Sequence, residues 1–92
     1  MDLPKYTICG TEFTMKFPSY KRCQQVREMI GEEIASMQET GYIKDVDKFI
    51  EGVKICADGD FSKINTDEIT SGQMLQIAEI VSDFFIKSGE IK

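Results

Sequence analysis

The densest set of side chains able to do chemistry lies in CADGDFSKINTDEIT, residues 56–70. It places Asp58, Asp60, Ser62, Asn65, Thr66, Asp67 and Glu68 within a dozen positions. Oxygen donors so close together are what a calcium ion requires, and the spacing can be tested. An EF-hand loop supplies ligands at positions 1, 3 and 5, glycine at 6 and a bidentate glutamate at 12. Counted from Asp58, the sixth position is Lys63 and the twelfth is Ile69, which cannot bind a cation. Counted from Cys56, the glycine position holds Phe61 and the last ligand is Asp67, whose side chain is one carbon shorter than glutamate. The stretch is therefore expected to be a polar connector, with Asp58-Gly59 stopping a helix and Phe61 and Ile64 as apolar anchors. Asp58, Asp60 and Asp67 remain the alternative metal ligands of a calcium-binding module using the 58–68 loop.

Other chemistry has less to work with. The chain has no histidine, the commonest general base and metal ligand. Cys9, Cys23 and Cys56 are odd in number and far apart, which fits neither a disulfide framework nor a zinc site. They read as reduced, largely buried thiols. Cys23 has Lys21, Arg22 and Arg27 near it but lies on an apolar seam, where packing accounts for it. Glu32-Glu33 and Asp67-Glu68 are adjacent pairs; neighbours on a helix point about 100° apart, so they read as solvated charge rather than a converging acid–base pair. The glycines are isolated, with no phosphate-binding loop among them. No catalytic residue and no cofactor site is expected, and the chain reads as non-enzymatic.

These residues have to be positioned by a small fold. Ninety-two residues make one domain, 1–92, with an ordinary 41% hydrophobic and 29% charged composition. The net charge is −5, unevenly spread: residues 1–27 carry a net +3 and residues 28–92 a net −8. An acidic body argues against nucleic acid as the main partner. The basic group Lys16, Lys21, Arg22 and Arg27 keeps a small nucleic-acid-associated regulator as an alternative. No apolar run approaches the roughly 20 residues that span a bilayer. The N-terminus lacks the layout of a signal peptide. A cytoplasmic protein without a membrane partner is expected.

Residues 5–17, KYTICGTEFTMKF, alternate as a β-hairpin. Gly10-Thr11 fits a two-residue turn that pairs Ile8 with Phe13 and Tyr6 with Met15. One face then carries Tyr6, Ile8, Phe13, Met15 and Phe17. Ser19 caps a helix over 20–39, with a seam of Cys23, Val26, Ile30, Ile34 and Met37 and a stop at Gly41. Gly31, beside that seam, is where another element would come close. Asp45 caps a second helix over 46–57, with Val46, Phe49, Ile50, Val53 and Cys56 inward and Gly59 as its stop. Thr70-Ser71-Gly72-Gln73 is a capping box, and Ile69 and Met74 are placed for a hydrophobic staple. It opens a third helix over 71–87, closed by Gly89. The fold class is thus α+β: an N-terminal β-hairpin followed by a three-helix bundle, mostly helical.

The third helix is apolar over most of its circumference, more than a hairpin and two helices need for cover. Such an excess marks an interaction surface. Adjacent phenylalanines point in different directions, so at least one of Phe84 and Phe85 looks away from the main seam. Ile80, Phe84 and Phe85 are the expected partner-binding residues.

The hairpin and helix in YTICGTEFTMKFPSYKRCQQV, with the apolar AEIVSDFF near the end, resemble small tail assembly chaperones of long-tailed bacteriophages. Those proteins open with a glycine-turn hairpin ending in Phe-Pro and finish in an apolar helix with paired aromatics. The resemblance covers mainly residues 5–26 and, more weakly, 70–86. It implies a phage assembly chaperone or small virion or tail accessory protein, acting in the host cytoplasm without catalysis. The implied partner is a tape-measure or other virion protein, bound through apolar helix faces; a homo-oligomer is left open. The family has no diagnostic catalytic or ligand residue to carry over. Such chaperones are often longer, with a frameshifted extension.

Overall fold

The computed structural model describes residues 2–90. Its order is β1 (Lys5–Ile8), β2 (Thr11–Met15), α1 (Tyr20–Thr40), α2 (Val46–Cys56), β3 (Ala57–Asp58), a single 3-10 turn (Phe61–Lys63) and α3 (Ser71–Glu90). The N-terminal hairpin and the three helices are as the sequence predicts, an α+β fold. One element goes beyond that reading. The two residues after α2 form a third strand, so the sheet is β1-β2-β3, antiparallel throughout, with β2 in the middle.

The hairpin turns one residue earlier than expected. Cys9 and Gly10 are its two central residues, both in the left-handed region with φ of 54° and 73°. Two positive φ values in a two-residue loop give the mirror-image turn whose twist matches that of the strands. Tyr6 therefore pairs with Phe13 and Ile8 with Thr11, instead of Tyr6 with Met15 and Ile8 with Phe13. The difference is a slip of two residues, which leaves every side chain on its own face. Ile8, Phe13 and Met15 are accordingly buried as the alternation requires. Phe17 is not: the strand ends at Met15, Lys16 N–H donates to the Cys56 carbonyl at 2.8 Å, and Phe17 is 45% exposed.

Ser19 caps α1, its hydroxyl accepting from the Arg22 N–H at 3.2 Å, and Gly41 closes it with φ 78°. The helix is kinked at Ile30 (φ −129°, ψ 18°), beside Gly31. The close approach expected at Gly31 occurs at Gly52 instead. A Cβ on Gly52 would lie 2.5 Å from Ile30 Cδ1, whereas one on Gly31 would meet nothing within 4 Å. Asp45 caps α2, accepting from the Lys48 N–H at 3.0 Å.

Gly59 is not the stop of α2. The helix ends at Cys56 and passes straight into extended backbone at Ala57 (φ −150°, ψ 153°). Gly59 is needed for space, because a Cβ there would lie 2.2 Å from Phe13 Cδ1. The capping box of α3 is reciprocal: Thr70 N–H donates to Gln73 Oε1 at 2.9 Å and Gln73 N–H to Thr70 Oγ1 at 3.1 Å. Nor does Gly89 end α3, which runs on to Glu90. One core joins the sheet and all three helices, with Phe13, Phe49, Phe84, Met15, Ile30 and Ile77 at its centre.

Candidate functional site

The acidic loop is occupied with its own folding. Asp60 caps the 3-10 turn, accepting from both the N–H and the hydroxyl of Ser62, and these bonds hold its carboxyl below the usual carboxylate range, the hydroxyl bond contributing most. Asp58 lies 3.6 Å from Lys16 Nζ. Asn65 Oδ1 accepts from the Asp67 N–H at 3.0 Å, an Asx turn, and the Thr66 hydroxyl reaches back to Asp47 Oδ1 at 2.7 Å. Among the described residues, no three Asp, Glu, His or Cys side chains form a group that could hold a metal ion.

The basic cluster is likewise dispersed. Lys16 Nζ donates to the Lys54 carbonyl at 3.0 Å, and Arg22 Nη1 to the Phe17 carbonyl at 2.9 Å. Arg27 lies over the Phe85 ring, 4.8 Å from its centroid. Cys23 and Cys56 are buried, and burial, reinforced by the Cys23 thiol, pushes the Cys56 thiol up to about 12. A thiol held neutral is a poor nucleophile. Cys9 sits half-buried in the hairpin turn.

Glu33 departs from its expected place on a solvated face. It is buried between α1 and α2, with Oε1 3.7 Å from Lys48 Nζ and no protein partner for Oε2. Tyr6 ties the sheet to α3, its hydroxyl donating to Asp83 Oδ2 at 2.8 Å. Burial foremost, and then that bond, raises its pKa.

What the fold leaves open is a groove of about 740 Å³ between α1 and α3. Four small side chains open it: Gly31 and Ala35 on α1, Ala78 and Ser82 on α3. Each pair is four residues apart and so shares one face of its helix. Ile34 and Met37 on one side, and Val81, Phe85 and Ile86 on the other, make the walls apolar. Phe85 is braced between the edge of Phe84 (centroids 6.1 Å apart, planes at 89°) and the Arg27 guanidinium. A second hollow of about 270 Å³ shares Met37 and continues past Tyr42, Met74 and Leu75. Leu75 and Ile86 are 64% and 56% exposed.

Of the three expected contact residues, only Phe85 lines this surface. Ile80 and Phe84 are 1% and 0% exposed, part of the core, and present nothing to a partner. On a 3.6-residue helix Ile77, Ile80 and Phe84 share the inward stripe, which places Ser82, Leu75 and Ile86 on the outward side. That stripe was readable in the sequence. Missed were Arg27, Gly31 and Ile86 as groove residues, and Ile34 and Met37, assigned to the core seam, which also face the opening. Their signal was the pair of small residues spaced by four on each helix.

Comparison with known proteins finds no matching family, no matching curated sequence and no matching solved structure. Among the described residues, no helix is long and apolar enough to cross a membrane.

Proposed function

We propose that this protein is a non-enzymatic interaction module that holds an apolar helix of a partner protein in the groove between α1 and α3. The observation that carries the reading is the groove itself: apolar walls, a floor of small side chains, and exposed Leu75 and Ile86 continuing it outward. Amphipathic helices bind such grooves through anchors spaced by three, four and seven residues. With the resemblance of residues 5–26 and 70–86 to phage tail assembly chaperones, the reading becomes an assembly chaperone or small virion accessory. It would shield a tape-measure or other virion protein in the host cytoplasm until assembly.

The test is affinity capture of partners with the protein and with two substitutions on the groove, Phe85→Asp and Ile86→Asp. Both side chains are wholly or partly solvent-facing, so the variants keep the fold, checked by thermal melting. Loss of the captured partner with both variants supports the reading. Undiminished capture by well-folded variants overturns it.

A further inference from the structure

We propose that the occupant of this groove is a basic amphipathic helix, with its apolar face on the floor and lysines or arginines along its outer flank. The inference rests on the groove-binding reading above and adds the chemistry of the partner. On α1, one wall of the groove follows the row Arg27, Gly31, Ile34 and Gln38. The next row outward, displaced by one residue, is Glu28, Glu32, Ala35 and Glu39. These rows advance by steps of four, three and four, and so run side by side along the helix. The three glutamates of the outer row are exposed. Across the groove, Glu79 is exposed on the outer side of α3, three residues before Ser82.

Carboxylates therefore flank an apolar floor on both sides. A helix lying there with basic flanks gains on each; one with acidic flanks is repelled by each. Arg27 is the one charged side chain lining the groove among the described residues, and it stands at the Phe85 end. A cation there favours the negative C-terminal end of the bound helix's dipole. A second copy of this chain is a poor occupant by the same rule, since each copy carries a net −5 and the same glutamate row. From Arg27 to Gln38 the wall is about 16 Å long, the length of three helical turns.

The test uses the intact protein and three synthetic peptides of about 15 residues, a length at which helices become stable in water. All are read by calorimetry and by amide chemical-shift mapping. The first has a leucine face with Lys and Arg flanks, the second the same face with Glu flanks, and the third basic flanks with the leucines replaced by serine. Expected is binding of the first peptide with shifts at Gly31, Ala78 and Ser82, and binding at least about tenfold weaker for the other two. Raising the salt weakens the first interaction, as does the triple variant Glu28→Lys, Glu32→Lys, Glu39→Lys. The salt series on the unchanged protein gives the same information should the triple variant misfold.

Equal binding of the Glu-flanked peptide, or an affinity indifferent to salt, overturns the basic occupant and leaves groove binding standing. Equal binding of the serine peptide reduces the effect to bulk charge attraction and also overturns the inference. If neither leucine peptide moves the groove amides, the groove-binding reading falls with it.

Discussion

Cys56 and Tyr6 are both held in their neutral forms by burial, and both consequences can be measured. Each binds its proton more tightly in the folded chain than in the unfolded one: the Cys56 thiol is raised from 9.0 to about 12, and the Tyr6 hydroxyl is raised from 10.0. The folded state then holds more protons than the unfolded state in that range, so stability falls as pH rises. Their contribution is whole below about pH 9 and is lost as pH climbs towards 12. Denaturant unfolding between pH 8 and 12 is expected to show this decline, and Cys56→Ala with Tyr6→Phe to flatten it. At neutral pH a thiol reagent should modify Cys9 first, and Cys23 and Cys56 only after unfolding, because those two are buried. The acidic loop makes the same point about single residues. Asp58, Asp60 and Asp67 could be counted in the sequence. Their engagement with Lys16, Ser62 and Asn65 depends on where the backbone turns, and spacing alone does not carry that.

The elements were legible wherever a local rule settles the outcome. Ser19, Asp45 and Thr70 cap their helices as capping chemistry requires, and the core stripes follow from periodicity. Glycines were less legible, because one residue type serves several purposes. Gly31→Ala enters open space in a helix interior and is expected to raise stability by about 0.5–1 kcal/mol. Gly52→Ala drives a methyl into Ile30 and is expected to lower it by roughly 1–3 kcal/mol, the usual cost of overpacking. Chemical denaturation of the two variants, opposite in sign, checks the assignment of the close contact to α2. Strand β3 was invisible because two residues carry no period; only the proximity of β2 makes Ala57–Asp58 a strand. The hairpin turn escaped for a related reason. Registers two residues apart bury the same faces, so hydrophobicity could not choose between them.

At the scale of the whole molecule, the apolar excess of α3 divides between core and surface. Phe84 is enclosed by the sheet and helices, and Phe84→Ala is expected to cost about 3–5 kcal/mol. Phe85 and Ile86 border the groove, so their replacement by aspartate is expected to cost less than Phe84→Ala and to abolish partner capture instead. Thermal melts and capture assays on the same variants separate the two roles. A Phe84→Ala protein as stable as the wild type would mean that the core is misassigned.

The sequence by itself determined the helices, their caps, the two-faced hairpin and the acidic balance of the body, because each follows from interactions within a few residues or from composition. Tertiary structure alone decided which phenylalanine is core, which glycine admits a neighbour, and where Glu33 lies. It also brought Gly31 and Ala35 opposite Ala78 and Ser82. Those outcomes depend on how close α1 and α3 come to each other, and residues more than forty positions apart in the chain leave no local signal of that distance.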